Sequence, residues 1–411
     1  MEVPVYSLAE RDRRWALARK LMAAEDVDAL IVFGGCKRQC ECECECAGAA
    51  GFARDAYFSN DRPGSVVIFC RHAEPVQLVS PNLAVRAHLE AARPDSLAWI
   101  GPARVRVGAD AAGIAAVLRE HGLERAPVGV LGPGTAASWH AGLAAGCPLW
   151  QDALARLPHV RFKPVDESFL FATVCLSDEE LAVVRYCAAA GDAGARAMTA
   201  AAAPGVTEAE LRAVGTAAAV RLGCRASTLT WSGPGFVACG PPSWSYRPEP
   251  PRALREGDVL LAEVTTWFGL KETRCQAAIV IGKPHPDVET AAVIARASYQ
   301  AGLHAARVGN TLGDLAEAML MPLKQAGSWH THPLARMLSA PRPDAGGELP
   351  LAPGMCCALV PSAVVAGRAV SLGGTVVIGE DDPVEHNPFT ARLLRVPAGQ
   401  PHGPAPRGCR D

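Results

Sequence analysis

The stretch that most constrains this chain is Gly257–Gly282, GDVLLAEVTTWFGLKETRCQAAIVIG. Gly257-Asp258 opens it, VLLAEVTT is rich in apolar and β-branched residues, and CQAAIVIG returns after Phe268-Gly269. Two such runs around a glycine-containing turn read as a β-hairpin. A turn centred on Phe268-Gly269 sets Glu263 directly opposite Arg274, close enough for an ion pair across the strands.

The elements before the hairpin alternate. Leu8, Trp15, Leu17, Ala18, Leu21 and Met22 recur at helical spacing over residues 8–25, with charges elsewhere. DALIVFG (28–34) follows as a buried strand. Further strands are expected at 65–70, 76–80, 97–100 and 127–131, and helices at 82–92, 110–122 and 150–156. This alternation predicts an α/β domain. A joint within 160–176 divides the chain into an N-terminal domain, 1–165, and a second domain, 166–411. The second opens on Ser177-Asp178-Glu179-Glu180, a capping box ahead of a long helix. Another helix begins after Gly205-Val206-Thr207, and a strand near 226–232 leads to the hairpin. Helices at Val288–Ala306 and from Asn310 to Gln325, then strands within Leu351–Val364 and Val370–Ile378, complete it.

Composition excludes several classes. With 49% hydrophobic and 20% charged residues in 411, the chain is globular with a sizeable core. A net charge of −2 favours neither nucleic acid nor an anionic membrane surface. The charged N-terminus lacks the apolar segment of a signal peptide, and no apolar run approaches the roughly 20 residues needed to cross a bilayer. A cytoplasmic location is expected. The 15 cysteines are then expected to be thiols rather than disulfides. Five form one tract, Cys36, Cys40, Cys42, Cys44 and Cys46. Extended backbone would align Cys40–Cys46 on one face, as a soft-metal or redox site requires, but the spacing matches no C-x2-C zinc pair. A solvated loop of accidental composition is the plainer reading.

The pattern around the hairpin resembles the creatinase/prolidase/methionine-aminopeptidase (M24, pita-bread) family. Gly257-Asp258 and Gly282-Lys283-Pro284 bracket the segment as in that family, Ser177-Asp178-Glu179-Glu180-Leu181 resembles the opening of its catalytic domain, and Pro353-Gly354-Met355 its penultimate strand. The helix-then-strand start resembles its small N-terminal domain. The resemblance implies an α/β N-terminal domain and an α+β pita-bread C-terminal domain, and a homodimer. It also implies five metal ligands, Asp/Asp/His/Glu/Glu. The first position falls on Glu263. The second falls on Arg274, or on Lys271 if Thr273-Arg274 sets the alignment. The histidine falls near Trp329-His330-Thr331-His332-Pro333, where spacing does not choose between His330 and His332. The fourth and fifth fall on Val360 and Gly373. A cation, an isopropyl group and a hydrogen cannot hold divalent metal, so neither metal nor another cofactor is expected. The family's proton-moving histidine after Ser232-Gly233 falls on Cys239 or Gly240.

The expected function is a metal-independent creatinase/aminopeptidase-like enzyme. Its substrate would be a small amino-acid-like or amide molecule, in specialised natural-product metabolism. The alternative is a non-catalytic pita-bread binding or assembly protein with a vestigial cleft. Candidate catalytic residues are Glu263, Arg274, His330 and His332; candidate substrate-binding residues are Lys271, Cys239, Trp244 and Tyr246. Each has a plainer role: Glu263–Arg274 as a structural ion pair, the histidines as loop residues, Cys239 as packing, Trp244 and Tyr246 as surface aromatics.

Overall fold

The computed structural model describes residues 2–34, 54–61, 64–79, 98–132, 152–153, 155–232, 252–330, 333–339 and 347–397. The Cys36–Cys46 tract, the helix expected at 82–92, Cys239, Trp244, Tyr246 and His332 lie outside them. The chain forms two compact units, Pro4–Val174 and Cys175–Asp411, with Met1–Val3 counted in the second.

In the first unit, α1 (Leu8–Ala24) is capped by Ser7, whose side chain accepts from the Glu10 N–H. β1 (Ala29–Phe33), α2 (Arg54–Ser59), β2 (Val66–Cys70), β3 (Val76–Val79), β4 (Val105–Val107), α3 (Ala111–Glu120), β5 (Pro127–Leu131), β6 (Arg161–Pro164) and α4 (Asp166–Thr173) follow. The strands form one mixed sheet in the order β4-β3-β2-β1-β5-β6. β1, at its interior, pairs antiparallel with β2 and parallel with β5. All five of its residues are buried, which is why it reads as an unbroken apolar run.

Three expectations change here. The residues expected as a strand at 97–100 include Trp99 and Ile100, which lie in bends, and the strand comes at Val105–Val107. α1 buries Glu10 and Arg14 and leaves Leu8 exposed. Arg14 donates to Glu10 Oε1 at 2.6 Å and to the Tyr57 carbonyl at 2.9 Å, and its guanidinium lies over the rings of Tyr6, Tyr57 and Trp99. Full pairing and aromatic faces make a buried charge tolerable. Finally, the first unit runs past 165, through β6 and α4, to Val174, a boundary still inside the expected joint of 160–176.

The second unit opens with α5 (Asp178–Ala201) and α6 (Glu208–Val220), each headed by a capping box, on Ser177 and Thr207. β7 (Arg225–Ser232), β8 (Val259–Phe268) and β9 (Lys271–Ile281) follow, then α7 (Pro286–Ala305) and α8 (Leu312–Gln325). The closing strands are β10 (Ala335–Met337), β11 (Cys356–Leu359), β12 (Ser362–Val365), β13 (Arg368–Ser371), β14 (Gly374–Val377), β15 (Val384–Glu385) and β16 (Leu393–Val396). They form sheets ordered β16-β9-β8-β7 and β10-β11-β14-β15, plus the hairpin β12-β13. One face of β8-β9 carries Leu260, Ala262, Val264, Cys275, Ala277 and Ile279 into a core shared with Ala195 and Met198 of α5 and Leu211 of α6. Strand alternation therefore turns the other face of the hairpin away from those helices.

Candidate active site

The hairpin register decides what that second face presents. Glu263 pairs with Gln276, Thr265 with Arg274, Trp267 with Glu272 and Phe268 with Lys271. The turn is Gly269-Leu270, with φ of 51° and 67°, both left-handed as a two-residue hairpin turn requires. The expected turn at Phe268-Gly269, with Glu263 opposite Arg274, is therefore shifted by one residue, which moves every cross-strand partner by two. Phe268 stays in the ladder and packs its ring 5.1 Å from that of Tyr186 on α5. An even shift keeps every side chain on its face. Glu263 and Arg274 become diagonal neighbours, still in contact at 3.3 Å from Nη1 to Oε1.

Around that contact lies a polar group drawn from both strands. Gln276 Nε2 donates to Glu263 Oε2 at 2.9 Å, and Thr265 Oγ1 donates to Glu263 Oε1 at 3.4 Å. Arg274 Nη2 lies 3.4 Å from Glu272 Oε1, and Trp267 Nε1 donates to Glu272 Oε2 at 3.0 Å. The side chains of Arg274, Glu263 and Glu272 are 7%, 10% and 6% exposed, so these charges interact across little water. The main chain of Arg274 is fixed as well: its N–H donates to Thr375 Oγ1, which in turn donates to the Arg274 carbonyl, both at 3.0 Å. Beside it the Gln276 N–H donates to the Gly373 carbonyl at 3.0 Å.

The other candidates are placed differently. Lys271 points to the helix side with Thr273 and Cys275, the reverse of Arg274. Its Nζ donates to Glu180 Oε1 at 2.6 Å, and Glu180 is the capping-box glutamate of α5. Lys271 thus ties the hairpin to the start of α5 and does not join the face that carries Arg274. His330 is exposed, next to Trp329, which bridges to Val364. Val360 is buried in an apolar cluster with Leu176, Val184 and Ala358. Gly373 has φ +116°, and a Cβ there would lie 2.1 Å from the Leu359 carbonyl oxygen and 3.1 Å from the Tyr299 ring. Sequence reasoning passed over Gln276, Thr265 and Trp267. Their signal is parity: Gln276 lies two residues from Arg274, and Thr265 and Trp267 two and four from Glu263.

The family model described as metallopeptidase family M24 matches residues 182–381, the span that contains this hairpin and all the closing strands through β14. Residues 182–381 belong to metallopeptidase family M24. The whole chain is similar in fold to an X-Pro aminopeptidase from Thermotoga maritima MSB8, with TM-score 0.72 and 14% identity over 94% of this chain and 99% of that one. It is likewise similar to the dipeptidase PepE from Mycobacterium ulcerans, with TM-score 0.71 and 19% identity over 96% and 100%. A prolidase from Pyrococcus horikoshii OT3 gives TM-score 0.70 and 15% identity over 93% and 99%. At such identities the likeness establishes the two-domain fold. No curated protein sequence matches the chain.

Membership in M24 implies a metal pair, and the residues present do not fit one. Of the positions carried over from the family, Glu263 is engaged by Arg274, the second is a guanidinium, the fourth is a core valine and the fifth has no room for a side chain. Among the described residues, no three His, Cys, Asp or Glu side chains gather to hold an ion. No helix among them is long and apolar enough to cross a membrane.

Proposed function

We propose that the M24 unit is a metal-independent enzyme acting on a small amino-acid-like or amide substrate. The observation that supports the reading is the Glu263–Arg274 contact, a guanidinium against the residue that the motif aligns with the family's first metal ligand. A guanidinium neutralises carboxylates and offers planar N–H donors to an anion or a polarised carbonyl. It does not lower the pKa of a bound water as a metal does, so attack by metal-bound hydroxide is not the chemistry of this set. The chemistry left is proton transfer or addition–elimination on a substrate oriented by Arg274. Glu263, His330 or His332 would move the proton.

The test uses protein held in chelator and a library of small amides and amino-acid derivatives, read by mass spectrometry. Turnover or binding should persist in chelator. It should be lost in Arg274→Ala and in His330→Ala or His332→Ala variants whose circular dichroism is unchanged. If no compound binds or reacts, or if Arg274→Ala affects only stability and both histidine variants behave as the parent, the enzyme reading fails. The second reading, a non-catalytic binding or assembly protein, then stands. One observation favours it: Glu263 and Glu272 both already contact Arg274.

A further inference from the structure

We propose that Arg274 is a tethered counter-ion, a cation fixed by the chain between Glu263 and Glu272, and that the backbone at Gly373 keeps this position from reverting to a metal site. The inference rests on the metal-independent half of the reading above and not on turnover.

Glu263 and Glu272 project from opposite strands onto one face, both nearly fully buried. Two carboxylates in a poorly hydrated place repel each other unless a cation is shared between them. Arg274 touches one through Nη1 and the other through Nη2. Among the described residues, the other groups that contact these carboxylates, Gln276, Thr265 and Trp267, are neutral. Arg274 therefore supplies the positive charge that a metal would otherwise bring. Its backbone is clamped in both directions by Thr375, so the guanidinium is carried on a fixed base.

Gly373 makes the exchange one-way. Its left-handed φ of +116° sends a Cβ toward the Leu359 carbonyl oxygen, at 2.1 Å. The same residue accepts from the Gln276 N–H, which is bonded through its side chain to Glu263. Moving Gly373 to admit a side chain would pull on the strand that orients Glu263. Restoring a carboxylate at position 373 by substitution meets main chain, whatever side chains surround it.

The experiment reads thermal melting and metal content. Arg274→Ala should melt below the parent. Low-millimolar guanidinium chloride, far below denaturing concentrations, should restore at least half of that loss. Urea of the same shape and sodium chloride at matched ionic strength should not, and the parent should gain nothing from guanidinium. The triple variant Arg274→Asp, Val360→Glu, Gly373→Glu, dialysed against manganese, cobalt or zinc, should melt below the parent and take up fewer than two equivalents of metal, since a side chain at 373 meets the Leu359 carbonyl oxygen. If Arg274→Ala does not fold at any guanidinium concentration, the charge-free set Glu263→Gln, Arg274→Met, Glu272→Gln decides: it should fold. The proposal is overturned if Arg274→Ala melts like the parent, if guanidinium and urea act alike on the folded variant, if the charge-free set is also unfolded, or if the triple variant takes up two equivalents. None of these outcomes depends on whether the protein turns anything over.

Discussion

Replacing Gly373 by alanine adds one methyl group at a place where two separate costs fall. The first is conformational: φ +116° is open to glycine and disfavoured for an L side chain, at about 1–3 kcal/mol. The second is steric. The Cβ would sit 2.1 Å from the Leu359 carbonyl oxygen, far inside contact distance, with the Tyr299 ring on the next side at 3.1 Å. Tyr299 is fully buried and its hydroxyl donates to Glu385 Oε1 at 2.7 Å, so the ring has little freedom to move aside. Overpacking of this kind costs about 1–3 kcal/mol more. Together Gly373→Ala should destabilise the second unit by roughly 2–6 kcal/mol, or about 4–24 °C in melting temperature for a unit of this size. Gly367→Ala is the control: its φ is +74° and a Cβ there meets nothing within 4 Å, so only the conformational cost of about 1–2 kcal/mol applies. Urea unfolding of both variants, followed by tryptophan fluorescence, measures the difference. Equal losses in the two, or a loss below about 1 kcal/mol in Gly373→Ala, would refute the crowding argument and with it the claim that backbone keeps a ligand out.

Lys271→Met removes the cation from a nearly buried pair; a loss of about 3 kcal/mol is expected in urea unfolding, and a loss near zero contradicts a structural role for Lys271. Burial raises the Asp55 carboxyl above its ordinary range, although Oδ2 accepts from Gly64 N, Ser65 N and Ser65 Oγ. Because its folded pKa is the higher one, ionising Asp55 weakens the first unit as pH rises from the unfolded value of about 3.9 through the folded value. The stability of Asp55→Asn relative to the parent should therefore increase between acid and neutral pH, and a pH-independent difference would remove the assignment. Protein purified without chelator, with the Cys36–Cys46 cysteines replaced by serine, should carry less than about one equivalent of zinc, manganese, cobalt or iron by elemental analysis. Stoichiometric metal in that preparation would sink the metal-independent reading. We also propose a homodimer; light scattering at micromolar concentration that gives the mass of one chain removes it.

Much of this was legible in the sequence because it is written over short distances. A Ser or Thr three residues ahead of a Glu states a helix start without reference to anything else, and the boxes at Ser177 and Thr207 stand where the letters put them. Period-two alternation told which residues of the hairpin share a face, so Glu263 and Arg274 came together even though the turn moved by one residue and the pairing by two. Parity survives a register error of two. The opposing residue does not, and Gln276 took the place beside Glu263.

What only tertiary structure decided depends on partners far away in sequence. Phe268 remained in the strand because Tyr186 of α5 packs against it. Lys271 found its anion at Glu180, on that same helix. Arg14 went inside because Tyr6, Tyr57 and Trp99 enclose it, against the rule that charges face water. Gly373 shows the limit most plainly. The letter glycine reports a missing ligand, but the Leu359 carbonyl that forbids one comes from another strand. Local propensity is a property of neighbours along the chain, whereas packing and charge pairing are properties of neighbours in space, and only the fold determines who those are.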